Sequence, residues 1–377
     1  MPVRRLRVLH VATLLTPDGA YGGPVRVATN QVRALRARGH DALLVAAAAG
    51  FDELPTTWDG VPVVTFPAVR AAPGTGFAGL AAPSMVRWIR AHGSRADVAH
   101  VHLARDLVTL PAAVAWGRSG KPFVTQTHGM VMPSAHPLAA PLDALLTRRV
   151  VARASRSFAL TPVEEAGLRT LFGPRVSVQR LVNGVPVRGQ GEPPSHDHHP
   201  EVLFLARLHP RKRPLAFVDA AARLAPRFPE ARFRLVGPDE GEGSAVRERI
   251  AALPADVRAR VAWEGALPPE RTTDRLARAS LYVLPSVDEP FPMSVLEAMS
   301  CGVPVVVTRT CGLAAPVSRA GAGEVVGEDV DDLTAAMARF LGSPRRAQDA
   351  GLRARDLVRT DYSMDAVTDA LEHAYAR

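Results

Sequence analysis

The chain has 377 residues, of which 47% are apolar and 22% are charged, a composition that is typical of a globular protein and excludes a disordered chain. At about 150 residues per domain, this length predicts two domains. The net charge of +9 favours anionic partners such as nucleic acid, acidic lipid or phosphorylated substrates. No apolar run reaches the roughly 18 residues of a membrane span.

The beginning of the chain and its cysteines point to one compartment. Basic Met1–Arg7 followed by apolar Val8–Leu15 has the outline of a signal peptide. The apolar part is short, contains His10 and lacks a cleavage site, so we interpret it as a first strand. Cys301 and Cys311 match no zinc spacing or disulfide framework. We therefore expect a reducing, cytoplasmic location.

Strand and helix patterns alternate through the first half. Apolar residues recur at helical spacing over Pro24–Arg38, and Gly39 follows as a C-cap. The other predicted elements are strands over Arg5–Ala12, Asp41–Ala47, Val98–His102, Pro122–Thr127 and Ser157–Leu160, a loop over Thr16–Gly23 and a helix over Pro162–Phe172. Such alternation is typical of parallel sheets with crossover helices.

The segment Gly184–Pro200 interrupts the alternation. It is rich in Gly, Pro and His and has no periodicity, which indicates a linker between domains. Its run of His196, Asp197, His198 and His199 also allows a metal-binding interpretation. No second ligand cluster accompanies the run, so a solvated linker is favoured.

The alternation resumes after the linker and predicts a second α/β domain. Its predicted strands are Glu201–Ala206, Arg232–Val236, Ala262–Glu264, Leu281–Pro285 and Pro304–Thr308. Its predicted helices are Pro214–Arg227, Thr273–Ala279, Ser294–Cys301 and Leu333–Leu341, and the remainder of the chain is also helical.

Two carboxylates flank the start of one predicted helix. Glu289 follows the strand Leu281–Pro285, and Glu297 lies in the helix Ser294–Cys301. Ligands of open parallel sheets bind at the carboxyl ends of strands, where a carboxylate can accept hydrogen bonds from sugar hydroxyls. A capping box is the competing interpretation, because Ser294 and Glu297 have the S-x-x-E spacing. The spacing alone leaves both interpretations open.

A basic loop, FLARLHPRKRP, joins the first strand and first helix of the second half. Arg207 and Lys212 in this loop could neutralise a diphosphate and stabilise it as a leaving group. An ordinary basic loop in an Arg-rich chain is the alternative. The chain has only one other lysine, Lys121, so a lysine between arginines favours a specific role, because the two cations are not equivalent.

The segment EPFPMSVLEAMSCGVPVVV resembles the E-x7-E signature of the retaining GT-B glycosyltransferases, often called family 4. The resemblance implies that Glu289 faces hydroxyls of the donor sugar and that Glu297 binds the nucleotide ribose. It also implies three donor-binding neighbours: Phe291, Met293 and Ser294. Pro292 stands where the family has Gly, which removes an amide contact and stiffens the loop.

The basic loop resembles the family's Arg-x4-Lys diphosphate site at Arg207 and Lys212. Arg211 and Arg213 are near enough in sequence to substitute in part. The resemblance also places Gly265 and Leu267 where the family's backbone meets the base, and Asp239 replaces the second Gly of its V-G-x-G.

The first half carries two further positions. Gly22 and Gly23 let a backbone approach a phosphate, with a plain turn as an equal alternative from the residues alone. His128 ends a predicted strand, where it could bond a ligand or be a satisfied polar residue. The resemblance implies that the glycines lie across the cleft from the donor phosphates and that His128 lies near the donor sugar. His100 and His102 are interpreted as structural.

The resemblance implies an α/β GT-B fold, with two Rossmann-like domains whose parallel sheets face a central cleft. We expect an acceptor-side domain over residues 1–183, the linker over 184–200 and a nucleotide-sugar donor domain over 201–360. The helix of residues 361–377 would cross back to the N-terminal domain.

The implied activity is retaining transfer from a nucleotide-diphosphate sugar, UDP- or GDP-linked, to a hydroxyl of a polysaccharide, lipid-linked sugar or natural product. Arg207 and Lys212 would hold the departing diphosphate, Glu289 would orient the sugar and His128 would support it. No general base is evident. We expect no cofactor and no required metal.

Three alternatives compete with this activity. One is an epimerase or phosphorylase on the same fold. Another is a nucleic-acid or anionic-surface binding protein, which 5% aromatic residues and the lack of a known binding module disfavour. The third binds a nucleotide sugar without catalysis, with Pro292 as the reason. We expect no nucleic-acid partner and weak contact with the anionic inner membrane face.

Overall fold

The computed structural model describes residues 5–17, 22–71, 79–186, 199–268 and 271–376. The chain divides into two compact units. Unit 1 comprises Met1–Gly184 and Met364–Arg377, and unit 2 comprises Val185–Ser363. The predicted linker lies mostly outside the described residues, which resume at His199.

Unit 1 is built on an eight-stranded sheet with the order β10-β9-β8-β7-β1-β2-β4-β3. Its strands are β1 Arg7–Leu15, β2 Asp41–Ala48, β3 Thr57–Trp58, β4 Val61–Pro67, β7 Val98–His102, β8 Phe123–Gln126, β9 Arg156–Ala159 and β10 Val178–Arg180, and a separate pair is β5 Val69–Arg70 and β6 Leu80–Ala81. Only β3 pairs antiparallel in the large sheet. β1 and β7 lie side by side. The strand that follows β1 is added on one side of this pair, and the strand that follows β7 is added on the other, so the strand order reverses here.

Helices cover the sheet of unit 1. They are α1 Gly22–Ala37, α2 Pro83–His92, α3 Thr109–Trp116, α4 Ala139–Leu142, α5 Arg148–Arg153, α6 Pro162–Phe172 and, from the end of the chain, α15 Met364–Tyr375. The last helix belongs to this unit because Val367, Leu371 and Tyr375 are buried in the same apolar cluster as Val32 and Leu35 of α1. Arg38 also pairs with Asp369, which ties the end of α1 to α15.

A polar layer is buried between the sheet and α15. His10 on β1 and His100 and His102 on β7 are all 0% exposed. The Tyr375 hydroxyl lies 2.7 Å from Nδ1 of His100. Burial lowers the pKa of His10 to about 3 and lowers the pKa of His100 and His102 well below the usual value. These rings are therefore neutral near pH 7, and their charged forms are excluded from the core.

Unit 2 contains a six-stranded, fully parallel sheet with the order β13-β12-β11-β14-β15-β16. Its strands are β11 Glu201–Leu205, β12 Arg232–Val236, β13 Val261–Trp263, β14 Leu281–Leu284, β15 Val305–Thr308 and β16 Gly323–Val326. This order reverses between β11 and β14. In open α/β sheets, ligands bind beyond the carboxyl ends of the strands at such a reversal.

The helices of unit 2 follow its strands as crossovers. They are α7 Pro214–Leu224, α8 Gly243–Ala251, α9 Ala255–Arg258, α10 Thr272–Leu276, α11 Met293–Ser300, α12 Ala314–Ala320, α13 Val330–Leu341 and α14 Pro344–Asp361. Among the helices of the described ranges, none combines the length and the apolarity that crossing a bilayer requires.

The predicted α/β class is confirmed, and two of its boundaries need correction. β1 continues to Leu15, beyond the predicted end at Ala12, because the added residues are buried as well. α1 begins at Gly22, so Gly22 and Gly23 form its first turn instead of a loop. The sequence around β4 received no assignment, since its mixed Pro, Val and Thr pattern has no clear period.

The buried histidines predict an acid-sensitive fold. Unfolding returns the pKa of each ring to about 6.5, so stability is complete above that pH and decreases as the pH falls toward the depressed folded values. We expect the free energy of unfolding to decrease between pH 6.5 and 5 by up to about 1.4 kcal/mol per pH unit for each histidine. Urea unfolding across this range measures the slope.

The His10→Phe variant should lose one histidine's share of that slope. Val11→Ala is the matched control, because Val11 is buried on the same strand and its truncation lowers stability without removing a titrating group. Equal slopes in wild type and His10→Phe would contradict the assignment.

Candidate active site

Two loops of unit 2 meet at the reversal of its strand order. The loop after β11 forms a short 3-10 turn over Pro210–Lys212. The loop after β14 carries Glu289. Val287 donates its backbone N–H to the Arg211 carbonyl oxygen at 2.9 Å, so the two loops are directly linked. The predicted diphosphate residue and the first predicted sugar residue therefore lie together.

Lys212 Nζ donates a hydrogen bond to Oε2 of Glu289. Both side chains are nearly buried, at 12% and 10% exposure. Burial lowers the pKa of the Lys212 ammonium; Glu289 opposes that shift, while Arg211 and Arg207 reinforce it. A guanidinium nitrogen of Arg211 lies 3.9 Å from the same Glu289 oxygen. The result is a cluster of cations around one carboxylate, which favours an anionic ligand.

Close backbone packing holds the Glu289 loop. Gly312 donates its N–H to the Glu289 carbonyl oxygen at 2.8 Å. A Cβ at Gly312 would lie 1.8 Å from the carbonyl oxygen of Pro290, so only glycine allows this approach. Asp288, with φ of 48°, donates its N–H to Thr310 Oγ1 at 3.1 Å. These contacts fix the backbone of the Glu289 loop relative to β15.

The neighbouring arginines differ in what they can do. Arg211 lies beside Glu289, so it remains a possible contributor to anion binding. The Arg213 guanidinium donates to the carbonyl oxygens of Pro285 and Glu328. Arg213 also adopts left-handed backbone, with φ of 55°, at the junction with α7. Its role as a partial substitute stays a prediction, with two of its donors directed at backbone carbonyls.

Arg207 forms an ion pair with Glu240. Both side chains are about one-third exposed, at 35% and 31%, so the pair is accessible. Glu240 Oε2 is buried and has no hydrogen-bond partner within the described part of the chain. Asp239, the departure from the family's glycine, accepts from the backbone N–H groups of Gly241 and Gly243 and so organises the start of α8.

The capping-box interpretation of Ser294 and Glu297 is wrong. α11 begins at Met293 with Pro292 as its N-cap, and no side chain caps it. Ser294 Oγ instead lies 2.7 Å from the hydroxyl of Tyr282, which is fully buried. Glu297 is the fifth residue of the helix and is 7% exposed, too far along the helix to bond its first amides.

The remaining predicted donor residues surround these loops. Gly265 follows β13 with φ of 82°, and the space where a Cβ would lie is open. Its carbonyl oxygen accepts from Gly237 N–H at 2.8 Å, while Leu267 is partly exposed two residues later. Phe291 is also partly exposed and Met293 is nearly buried. The open space at Gly265 could admit a flat ligand group against the backbone.

In unit 1, His128 and Gly129 form a tight turn after β8. Their φ angles are 51° and 74°, and Met130 N–H donates to the Thr127 carbonyl oxygen at 2.8 Å. Positive φ at both central residues is the requirement of a type I′ turn. It is strained for a histidine, and such strain clusters at functional sites. Gly22 and Gly23, the other predicted residues of this unit, begin α1.

Glu164 of α6 supports this turn, a role that the sequence interpretation missed. Its Oε1 accepts from Thr127 Oγ1 and from Gly129 N–H. Its Oε2 accepts from Leu160 N–H at 2.7 Å. The carboxylate is 3% exposed. The only sequence signal was its position in the first turn of a helix, which is common for glutamate.

Three histidines come close enough to suggest a metal site. His10, His100 and His102 each offer a nitrogen within 4.8 Å of the others. The rings of His100 and His102 are stacked, with 4° between planes and 4.6 Å between centroids. A metal lies in the plane of each imidazole that binds it, and two stacked planes share no such point. These rings therefore do not fit one ion as they lie.

The linker run is described only in part, and both cysteines are free and buried. His196, Asp197 and His198 lie outside the described residues. His199 pairs with Glu230 at 2.8 Å on the surface. Burial raises the pKa of Cys311 to about 12, so its thiol stays protonated near Glu289.

Family comparisons cover both units of the chain. The family described as "Glycosyl transferases group 1" matches residues 190–357, and "Glycosyl transferase 4-like domain" matches residues 22–184. The first match contains the Lys212 and Glu289 loops, and the second contains the His128 turn.

Curated relatives extend the match along the chain. A D-inositol 3-phosphate glycosyltransferase 2 of Catenulispora acidiphila is 30% identical over 79% of this chain and 77% of its own. An enzyme named D-inositol 3-phosphate glycosyltransferase from Segniliparus rotundus is 27% identical over 99% and 89%. A third, from Acidothermus cellulolyticus, is 39% identical, but the match spans 42% of this chain and 35% of that relative.

Solved structures share the fold along nearly the whole chain. Sucrose-phosphate synthase from Thermosynechococcus elongatus has a TM-score of 0.74 at 19% identity, covering 99% of this chain and 98% of that one. HepE from Anabaena, in complex with UDP and glucose, has a TM-score of 0.76 at 18% identity, covering 99% and 100%. With both halves matched and the fold shared, the chain belongs to the glycosyl transferases group 1 family and is a glycosyltransferase of the GT-B fold.

Proposed function

We propose that this glycosyltransferase transfers a sugar from a nucleotide-diphosphate sugar, UDP- or GDP-linked, to a hydroxyl acceptor, with retention of configuration and without a metal. The observation that carries the proposal is the buried contact between Lys212 and Glu289. It lies where the strand order of unit 2 reverses, the position at which α/β sheets bind nucleotides. The names of the relatives support the same class of reaction.

The cations of this site suit a departing diphosphate. The Lys212 ammonium has three N–H donors, and its hydrogen bond to Glu289 Oε2 uses one of them. Arg211 lies beside the pair and Arg207 is close enough to influence the Lys212 pKa. A diphosphate would compete with Glu289 for the ammonium and with Glu240 for Arg207. Fixed cations around a developing negative charge stabilise the transition state, because no solvent reorganisation is needed.

Glu289 and Glu297 would hold the two ends of the donor. When the diphosphate takes Lys212, the Glu289 carboxylate is released to accept bonds from sugar hydroxyls. Glu297, which is buried at 7% exposure, would accept from the ribose. His128 would support the sugar, and Gly22 and Gly23 would present helix amides to phosphate. Front-side attack with the leaving phosphate as proton acceptor requires no further base.

The names and titles of similar proteins suggest which donors and acceptors to test first. HepE was determined with UDP and with UDP-glucose, so a uridine donor is the first to test. The relatives are named for D-inositol 3-phosphate, so an inositol phosphate belongs in the acceptor panel beside polysaccharide, lipid-linked and natural-product acceptors. A surface of net charge +9 suits a phosphorylated acceptor or weak contact with an anionic membrane.

The diphosphate role of Lys212 predicts selective stabilisation by one nucleotide. UDP, GDP, ADP and dTDP are each added without metal, and thermal unfolding is followed. A ligand at about 100 times its Kd should add about 2.7 kcal/mol of stability. Lys212→Ala should weaken that nucleotide by about 10- to 100-fold, because a charge-assisted hydrogen bond contributes roughly 1.5–3 kcal/mol.

Lys121→Ala is the matched control, since Lys121 is the only other lysine and its ammonium donates to backbone carbonyls of Ser94 and Ala96 in unit 1. It should lower basal stability and keep the full nucleotide shift. Equal nucleotide-induced shifts in wild type and Lys212→Ala would contradict the assignment of Lys212 to the diphosphate site.

Glu289→Gln should separate nucleotide binding from transfer. The amide cannot pair with Lys212 as an anion, so UDP should bind as tightly as in wild type or tighter. Loss of a charged acceptor for sugar hydroxyls should lower kcat/KM by about 10- to 100-fold. Isothermal titration with UDP and steady-state transfer rates measure the two effects. If Glu289→Gln lowered UDP affinity and kcat/KM to the same extent, Glu289 would have a structural role only.

Metal independence predicts full activity in a chelator, because Lys212, Arg211 and Arg207 supply the positive charge that a divalent ion provides elsewhere. Initial rates are compared in EDTA and in Mg²⁺ or Mn²⁺. Complete loss of activity in EDTA that only these ions restore would contradict the metal-independent mechanism. Analysis of products in the same assay distinguishes transfer from epimerisation or phosphorolysis.

A further inference from the structure

His102 lies between two other imidazoles in the core of unit 1. Its Nδ1 is 2.8 Å from Nε2 of His128, and its Nε2 is 3.1 Å from Nδ1 of His10. The His102 and His128 rings are within 14° of parallel, with centroids 5.1 Å apart. This is close to the in-plane arrangement in which the lone pair of one ring meets the N–H of the next. Both nitrogens of His102 are therefore used.

The protons of these rings are linked. Burial lowers the pKa of His10 and His128 to about 3 and the pKa of His102 well below its usual value, so each ring carries a single proton near pH 7. A neutral imidazole donates from one nitrogen and accepts at the other. If His102 donates from Nδ1, His128 must accept at Nε2 and carry its proton on Nδ1. The tautomer of His128 thus follows that of His102.

The backbone and the ring of His128 have separate supports. Glu164 holds the strained turn through Thr127 and Gly129. That contact fixes where the His128 Cα lies and leaves the ring torsions unrestrained. His102 is itself held, because its ring stacks on His100 and bonds His10. It is the rigid partner from which the His128 ring takes its orientation.

We propose that His102 is a positioning residue, which orients the His128 ring and sets its tautomer so that Nδ1 is the nitrogen presented to the donor sugar. The inference rests on the proposed function for the role of His128. It assigns a function to a buried strand histidine that the sequence indicated only as structural. Its effect reaches the substrate solely through His128.

Two substitutions at His102 separate its two bonds. Asn has an amide atom as many bonds from the backbone as Nδ1, and so keeps the bond to His128. Gln reaches as far as Nε2, and so keeps the bond to His10 and loses the bond to His128. We expect His102→Gln to lower kcat by up to about 100-fold, the effect of a misplaced catalytic group, with KM for the donor little changed. His102→Asn should retain most of the activity.

A structural role for His102 gives a different order. Gln is closer to His in volume, so a residue that only fills the core would be replaced better by Gln than by Asn. Equal losses in both variants, or a greater loss in Asn, would overturn the proposal. The UDP-induced thermal shift, which reports on unit 2, should be the same in wild type and both variants, and an unfolding transition retained without UDP verifies that unit 1 of each variant is folded.

A second readout needs no substrate. The ¹⁵N shifts of the His128 ring should show two widely separated values, those of one tautomer, in wild type and in His102→Asn. In His102→Gln they should move toward each other as the tautomers exchange. Unchanged shifts in His102→Gln would overturn the proposal. If wild type transfers no sugar to any acceptor, the proposed function fails, while these shifts still decide the role of His102.

Discussion

The contact between Lys212 and Glu289 is the interaction around which unit 2 is organised. A nearly buried ammonium and a nearly buried carboxylate are each costly to hold alone, and removing either leaves an uncompensated charge. The pair requires the loops after β11 and β14 to meet, which the strand order alone provides. Gly312 and the Val287–Arg211 bond then fix the backbone. The Lys212–Glu289 contact is therefore held by the protein's own backbone, and an anion that binds Lys212 competes with a carboxylate.

Unit 1 also has a mainly parallel sheet, but its buried polar groups include the histidines of β1 and β7, whereas the Lys212–Glu289 contact of unit 2 is an ion pair. Its described site residues are neutral near pH 7, and the strain of the His128 turn is offset by Glu164. Buried hydrogen-bonded rings are rigid because every alternative arrangement leaves a polar atom without a partner.

Local patterns in the sequence predicted much of this molecule and failed where long-range pairing decides. Alternation predicted the α/β class, and spacing singled out Lys212 and Glu289. Spacing could not decide whether Glu297 belongs to a capping box, because the answer depends on where α11 begins, which is one residue before Ser294. Glu164 was missed, and His102 was interpreted as structural, because a single glutamate or strand histidine has no distinguishing pattern and their contacts with the His128 turn join residues 26 or more apart.

The helix α15 gives the chain an order of assembly. It contributes Val367, Leu371 and Tyr375 to the core of unit 1, yet it is synthesised after the whole of unit 2. During translation, the part of the unit 1 sheet that α15 covers stays exposed until the whole of unit 2 has been synthesised. Unit 2 can reach its native state first. Maturation of the first unit therefore depends on the ribosome having passed the second.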